Sequence, residues 1–191
     1  MLIIQHRVNT VAQLQTTPNY YGVEVDVRDK LDTIILQHDA YKNGEPWNTY
    51  LQHYQHQTLI VNVKTEGIEQ TIIDTLNAQK LTDYFLLDVS LPMLVKLTTN
   101  GFNKVAIRYS EYEPIQLASA FINKATWVWV DCFTQLPFND TDYNLLKKHF
   151  KICLVSPELQ GHSVEMITEF KTKLLKYPVD AVCTKYPMLW S

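Results

Sequence analysis

Short apolar runs alternate with helix-like stretches along this 191-residue chain, and that alternation restricts the fold more than any other feature. Strands that alternate with helices predict a parallel sheet. We predict eight such strands, beginning near residues 2, 21, 59, 83, 104, 126, 151 and 180. Eight units of this kind favour a closed (β/α)₈ TIM barrel, with an open doubly wound sheet as the alternative. Barrels of this type commonly need about 200 residues or more, so some helices are expected to be short or missing.

A further apolar run, at residues 33–37, follows the second strand too closely for a parallel crossover. It therefore predicts a short hairpin after the second strand. Residues 43–57 predict a loop and then a polar helix. The chain has only five glycines and no Gly-x-Gly-x-x-Gly or Walker pattern, which argues against nucleotide binding through a glycine-rich loop.

The composition is that of one ordinary globular domain, which we predict to span residues 1–191. A net charge of −3 gives no basic field for nucleic acid, and no apolar run approaches the length of a membrane span. The first residues lack the pattern of a signal peptide. The three cysteines have no metal-type spacing and are expected to be buried and reduced, which favours a cytoplasmic location.

The second predicted strand carries two carboxylates on one face, Glu24 and Asp26. Two acids so placed repel each other unless a cation neutralises them or they share a proton. A hard divalent ion, Mg²⁺ or Ca²⁺, is the favoured neutraliser. Salt bridges to Arg7, Arg28 or Lys64 are the alternative.

Two histidines, His6 and His38, each follow a strand-like run and flank the acidic strand. That placement suits general acid and base catalysis, and Asp39 is in position to orient His38 or to begin a turn. Arg7 and Lys64 supply positive charge suited to a phosphate oxyanion.

Other polar or aromatic side chains in or after the predicted strands are candidates for a substrate pocket, because the active site of a (β/α)₈ barrel lies at the carboxyl ends of its strands. They are Arg28, Asp88, Arg108, Trp129, Asp131, Glu158 and Lys185.

At these positions the sequence resembles the glycerophosphodiester phosphodiesterase family, in the superfamily that includes the phosphoinositide-specific phospholipases C. The family motifs His-Arg-Gly, Glu-x-Asp, His-Asp, Glu-x-Lys and Thr-Asp-x-Pro correspond here to His6-Arg7-Val8, Glu24-x-Asp26, His38-Asp39, Asn62-Val63-Lys64 and Thr184-Lys185-Tyr186-Pro187. The chain also resembles a bacterial subgroup with His-Arg-Val-Asn and Trp-Val-Trp-Val-Asp-Cys motifs, whose members accompany surface-polysaccharide synthesis.

The resemblance implies a (β/α)₈ barrel that cleaves a small phosphodiester with a divalent metal and takes part in lipid metabolism. It implies His6 and His38 as the acid and base, and Arg7 and Lys64 as phosphate ligands. Glu24 and Asp26 would hold the metal, with Asn62 at the position of the family's third acidic ligand.

Three departures accompany the resemblance. Asn62 replaces a carboxylate and removes one negative charge, Val8 replaces a glycine, and the family's insertion is shortened to residues 40–58. We therefore predict a metal-dependent phosphodiesterase acting on a glycerophosphodiester or a surface-polysaccharide precursor. The alternatives are an inactive barrel that binds a phosphorylated ligand or a partner protein, and a metal-independent enzyme in which Arg28 supplies the charge. The sequence leaves the oligomeric state open.

Overall fold

The computed structural model describes residues 1–191 and has a mixed α/β fold. Its internal contacts divide the chain into two compact units, one of residues Gln5–Leu97 and one of residues Met1–Ile4 with Thr98–Ser191. The prediction of one domain over residues 1–191 stays a prediction.

The first strand, β1 (Leu2–Gln5), lies almost entirely in the other unit. The elements of the Gln5–Leu97 unit follow it in chain order. They are α1 (Val11–Thr16), β2 (Gly22–Lys30), β3 (Thr33–Leu36), β4 (Glu45–Pro46), α2 (Trp47–Gln52), β5 (Leu59–Val63), α3 (Glu69–Ala78), β6 (Tyr84–Leu87) and α4 (Leu91–Thr99). The strand order within this unit is β4-β3-β2-β5-β6. Strands β2, β5 and β6 are parallel, while β3 is antiparallel to both β2 and β4.

Strand β2 is longer than its parallel neighbour β5. Its pairing with β5 ends at Val27 opposite Val63, whereas its pairing with β3 continues to Lys30 opposite Thr33. Every residue of β5 is buried, as expected for a parallel strand covered on both faces. The last residues of β2 therefore continue past the carboxyl end of β5, where the polar side chains gather.

The second unit contains β1 and the C-terminal half of the chain. After α4 come β7 (Ala106–Tyr109), α5 (Ile115–Ser119), β8 (Trp127–Val130), α6 (Asp140–His149), β9 (Lys151–Val155), a 3₁₀ turn (Pro157–Gln160), α7 (Met166–Leu174), β10 (Ala181–Thr184) and α8 (Pro187–Trp190). Their strand order is β1-β10-β9-β8-β7, and the pairs among β7 to β10 are parallel.

The strands lie close to the runs from which they were predicted. Helix α1 begins after Thr10, whose side chain accepts a hydrogen bond from the Gln13 amide in a capping box. Helix α6 begins at Asp140, and the side chain of Asn139 caps it by accepting a hydrogen bond from the Asp142 backbone N–H.

Cys132, Cys153 and Cys183 are all buried and form no disulfide, as predicted. None of the helices combines the length and the apolar character that a membrane crossing requires.

Candidate active site

Two parallel strands carry the acidic centre. Asp26 on β2 and Asn62 on β5 are paired neighbours, and Glu24 lies two residues before Asp26 on the same strand. All three side chains are buried, with exposures of 1% for Glu24, 0% for Asp26 and 8% for Asn62. Buried carboxylates require nearby donors or cations, so their surroundings decide what this centre can do.

Glu24 is held by hydrogen bonds at both of its carboxylate oxygens. The Arg7 backbone N–H donates to Oε2 at 2.8 Å, and the Asn62 amide Nδ2 donates to Oε1 at 3.0 Å. Burial, reinforced by the negative charge of Asp26, nevertheless raises the pKa of Glu24 to about 7. In the metal-free protein this carboxyl group therefore changes its charge near neutral pH.

Asp26 is fixed by Asn9 and faces two cations. The Asn9 amide Nδ2 donates to Asp26 Oδ2, and Asn9 Oδ1 accepts from the Asp26 backbone N–H, each at 2.8 Å. The Arg7 Nε lies 3.5 Å from Oδ2, and the Lys64 Nζ lies 3.3 Å from Oδ1. The charge of Asp26 is thus balanced within the unit, and its orientation is set by an amide from the turn after β1.

The turn after β1 depends on an unusual backbone conformation at Arg7, whose φ is +54°. Residues other than glycine rarely adopt this left-handed region, and such strain is found where a site requires it. Here it lets the Arg7 N–H reach Glu24 while the guanidinium reaches Asp26. Val8 does not have a positive φ; it is buried, and its N–H donates to the Glu24 carbonyl oxygen at 2.9 Å. Valine therefore fits where the resembling family has glycine.

Lys64 follows β5 and bridges two acids. Besides Asp26, its Nζ lies 3.5 Å from Asp88 Oδ2, and the lysine side chain is 18% exposed. Asp88 follows β6 and has a φ of +59°. A partly exposed ammonium held between two carboxylates can turn towards an anionic ligand while keeping one of its partners.

The two histidines have different surroundings. His6 Nε2 lies 3.8 Å from Glu24 Oε2, and its side chain is 14% exposed. His38 is 40% exposed, and its Nδ1 lies 2.9 Å from Asp39 Oδ1. The backbone N–H of Gln37, the residue before His38, donates to the Asp26 carbonyl oxygen at 2.9 Å, so the backbone next to His38 lies beside the backbone of Asp26.

Asp39 does pair with His38, in line with the orienting role considered from the sequence. Hydrogen bonds from His38 and then Lys42 hold the pKa of Asp39 below its ordinary value, so it remains a carboxylate. A carboxylate on Nδ1 orients the imidazole and leaves Nε2 for proton transfer.

Whether the acidic centre can bind a divalent metal depends on which of its oxygen atoms can act as ligands. No group of three His, Cys, Asp or Glu side chains is arranged to hold a metal ion. However, Asn62 Oδ1 and Asp26 Oδ1 are both buried and accept no hydrogen bond. Two such oxygens on paired strand positions suit a hard cation, which prefers oxygen ligands. The donor set of two carboxylates and one amide therefore fits Mg²⁺ or Ca²⁺.

The salt-bridge alternative for the two acids involves Arg7 and Lys64 but not Arg28. Both Arg7 and Lys64 lie near Asp26, whereas Arg28 forms no ion pair with either acid. The Nε atom of Arg28 is buried and has no hydrogen-bond partner.

The other predicted pocket residues belong to the second unit. Arg108 forms an ion pair with Asp131 through Oδ2 of the carboxylate. The other oxygen, Oδ1, accepts hydrogen bonds from Trp129 Nε1 at 3.3 Å and from Gln160 Nε2 at 2.7 Å. Four side chains, Arg108, Trp129, Asp131 and Gln160, thus form one polar cluster.

Glu158 organises the end of β10. Its Oε1 accepts from the Thr184 hydroxyl at 2.7 Å and from the Lys185 backbone N–H at 2.9 Å, and its Oε2 accepts from Ser156. Lys185 takes part through its backbone N–H and not through its ammonium group, so these hydrogen bonds are structural.

The sequence did not indicate Asn9 or Gln160 as candidate site residues. The contact of Asn9 with Asp26 joins residues that are 17 positions apart in the sequence. Gln160 lies in the 3₁₀ turn, 29 residues from Asp131. The closeness of Asn9 to the His6-Arg7 pair was the available signal for Asn9; nothing in the local sequence marks Gln160.

Comparison with known proteins shows likeness in structure but not in sequence. No family model matches this sequence, and no curated protein matches it. A glycerophosphodiester phosphodiesterase from Agrobacterium tumefaciens aligns with 100% of this chain and 99% of its own, with a TM-score of 0.71 and 15% identity. A glycerophosphoryl diester phosphodiesterase from Parabacteroides distasonis aligns with 98% of this chain and 84% of its own, with a TM-score of 0.69 and 14% identity.

A third solved structure contains a reaction product. It is a phosphodiesterase from Oleispira antarctica in complex with the product sn-glycerol-3-phosphate, and it aligns with 98% of this chain and 94% of its own, with a TM-score of 0.63 and 16% identity. At these identities the likeness establishes the fold. The chain therefore has the α/β fold of the glycerophosphodiester phosphodiesterases over nearly its whole length.

Proposed function

We propose that this chain is a phosphoric diester hydrolase of the glycerophosphodiester phosphodiesterase type. The observation that carries the proposal is the gathering of His6, Arg7 and Lys64 around two buried carboxylates, Glu24 and Asp26, in a chain with the fold of such enzymes.

Arg7 and Lys64 are the proposed phosphate ligands. Both carry their charge beside Asp26, and both side chains are partly exposed, Arg7 by 43% and Lys64 by 18%. Their positive charge offsets the negative charge that develops on the phosphoryl oxygens as the nucleophile attacks. Asp26 and Asp88 hold the two cations in place between turnovers.

His6 and His38 are the proposed acid and base. A water molecule or a substrate hydroxyl attacks phosphorus, one imidazole takes the proton of that nucleophile, and the bond to the leaving alcohol breaks. The other imidazole, protonated beforehand, gives its proton to the leaving oxygen, so that an alcohol and a phosphate monoester (or cyclic diester) are formed. Glu24 Oε2 lies 3.8 Å from His6 Nε2 and is the acidic group beside that imidazole.

Glu24, Asp26 and Asn62 are the residues that would hold a divalent metal, Mg²⁺ or Ca²⁺. When bound, such an ion supplies Lewis-acid stabilisation of phosphoryl charge. Its positive charge would also lower the cost of keeping Glu24 ionised beside Asp26.

A glycerophosphodiester is the first substrate to test, because the structurally similar phosphodiesterase from Oleispira antarctica was solved with sn-glycerol-3-phosphate as its product. A phosphodiester-containing precursor of a surface polysaccharide is the second. The prediction of a closed (β/α)₈ barrel with a hairpin after its second strand belongs to this proposal, and the likeness to the solved enzymes along nearly the entire chain supports it.

A binding protein without catalysis is the second candidate. Asp26 already has two cations, both Glu24 oxygens accept hydrogen bonds, and the His38 ring is paired with Asp39. A centre whose charges are balanced in this way can bind an anion without cleaving it.

Hydrolysis of bis(p-nitrophenyl) phosphate with Mg²⁺, Ca²⁺ or Mn²⁺ separates the two candidates. We expect His6→Ala and His38→Ala each to lower kcat by about 10²-fold or more. His53→Ala, which removes an exposed histidine at the end of α2, is the matched control and should retain activity. Unchanged activity in both test variants would contradict the acid and base assignment. Absence of cleavage of any diester, together with tight binding of inorganic phosphate, would instead support the binding protein.

A further inference from the structure

A basic recess of about 460 Å³ adjoins the far end of β2. Arg28, Lys30 and Lys42 line it with three cations, Asp29 contributes one anion, and Thr65 contributes a hydroxyl group. The lining therefore has an excess of two positive charges, which suits an anionic ligand.

Arg28 is the cation of this recess that has an unsatisfied buried donor. Lys42 Nζ lies 3.2 Å from Asp39 Oδ2, and Lys30 donates to the side-chain oxygen of Asn43. The Arg28 Nε, in contrast, is buried and has no hydrogen-bond partner. A buried donor of this kind is unfavourable until an acceptor reaches it, and guanidinium groups pair best with phosphate or carboxylate oxygens.

The position of Arg28 connects the recess to the candidate active site. It lies two residues after Asp26 on β2, so the two side chains point to the same side of the strand, about 7 Å apart along it. The Lys64 N–H donates to the carbonyl oxygen of Val27 at 2.8 Å, which places the backbone of the proposed phosphate ligand beside Arg28. A substrate whose scissile phosphate lies between Arg7 and Lys64 can extend along β2 into the recess.

We propose that the recess, with Arg28 as its main contact, binds a second anionic group on one alcohol arm of the diester substrate. The group is a phosphate monoester or a carboxylate, either of which presents two oxygens to a guanidinium. This inference rests on the proposed phosphodiesterase function and narrows its substrate class to diesters with a charged arm.

Two diesters that differ only in that charge test the proposal. They are ethyl glyceryl phosphate and the same diester with a phosphate on the terminal glyceryl hydroxyl, both followed by phosphorus NMR so that cleavage of either ester bond is detected. The measured quantity is the ratio of kcat/KM for the charged diester to that for the uncharged-arm diester. A charge-assisted contact predicts a ratio of about 10 to 100 in the wild type.

Two variants show whether the preference for the charged diester depends on Arg28. Arg28→Gln should lower the ratio by about tenfold or more, whereas Lys124→Gln, which removes an exposed positive charge from the second unit, should leave it within about twofold. A ratio that Arg28→Gln does not change, or a wild type that prefers the uncharged arm, would overturn the proposal.

Calorimetric titration with inorganic phosphate distinguishes failure of this proposal from failure of the enzyme function. It is performed in a Lys64→Met background, which weakens the proposed phosphate site of the active centre. If neither diester is cleaved, the phosphodiesterase function fails, and phosphate binding that Arg28→Gln abolishes would still support an anion site in the recess. Absence of that binding would overturn the recess as an anion site. Binding of free phosphate with no preference for the charged diester would overturn the substrate-arm assignment.

Discussion

Asp26 and Asn62 are paired neighbours on two parallel strands, and each has a buried side-chain oxygen that accepts no hydrogen bond. On the other side of its amide, Asn62 donates to Glu24. A single amide thus stabilises one carboxylate through its nitrogen, while its own oxygen is buried and accepts no hydrogen bond. A neutral amide at this position adds no third negative charge to the two buried acids.

Asn62→Asp should strengthen metal binding. It replaces the amide with a carboxylate of the same shape, so the oxygen set gains one negative charge, and we expect the Kd for Mn²⁺ or Mg²⁺ to fall by at least about tenfold. Calorimetric titration gives the affinity. Asn62→Ala, which removes the oxygen, should weaken binding, and equal affinities in both variants would show that the metal does not use this position.

The same Asn62→Asp substitution should destabilise the metal-free protein. It removes the amide that donates to Glu24 and places a third acid beside a carboxyl group whose pKa is already raised. We expect a lower Tm in EDTA than the wild type has, and recovery of that loss on addition of the divalent ion. An unchanged Tm in EDTA would mean that the amide of Asn62 contributes nothing to the stability of the acidic centre.

Glu24 predicts a pH dependence of stability in the metal-free protein. Its pKa is about 7 in the folded chain, against an ordinary value of 4.5, so between these values the unfolded chain has released a proton that the folded chain still holds. The unfolded state binds fewer protons there, and stability therefore falls as pH rises through this window. The loss is on the order of 3 kcal/mol once pH exceeds the folded value.

Glu24→Gln isolates this contribution. The free energy of unfolding of the variant relative to the wild type, from urea titrations in EDTA, should rise from the acidic to the alkaline side of this window, since glutamine stays neutral. A constant difference across that range would mean that burial does not raise the pKa of Glu24.

Most of the strands could be predicted because they are short apolar runs that become buried, as in Leu59–Val63 and Tyr84–Leu87. The closeness of Glu24 and Asp26 could be predicted because alternation within one strand places them on one face. Both patterns lie within short stretches of sequence, so they can be recognised without the structure.

What the sequence could not supply are the contacts between distant residues. Asn9 holds Asp26 across 17 residues, and the link requires the left-handed backbone of Arg7, an arginine in a conformation usually left to glycine. The sequence predicts Lys64 as a phosphate ligand or a partner of the acids on β2, yet Lys64 also pairs with Asp88, whose position depends on how β6 ends. Such partners follow from three-dimensional packing, which no single stretch of sequence encodes.

Lys64→Met should uncouple the phosphate site from the acidic centre. It removes the ammonium between Asp26 and Asp88 but retains a side chain of similar length, so kcat/KM for a diester should fall by about 10²-fold or more, and inhibition by inorganic phosphate should weaken as well. Lys96→Met, at an exposed position of α4, is the matched control. Loss of activity with unchanged phosphate inhibition would assign Lys64 to the support of Asp26 and not to the substrate.

Asn9→Ala tests the support of Asp26 directly. The variant removes both hydrogen bonds between the Asn9 amide and Asp26, leaving a buried carboxylate oxygen and a backbone N–H without those partners. Each loss of this kind costs about 1–3 kcal/mol, so the Tm should fall measurably. The exposed Asn19→Ala is the control for loss of an amide. If Asp26 holds a metal, the affinity for that metal should fall together with kcat in Asn9→Ala, because the carboxylate is free to rotate. A variant that loses stability but keeps full metal affinity would show that Asn9 supports the turn and not the site.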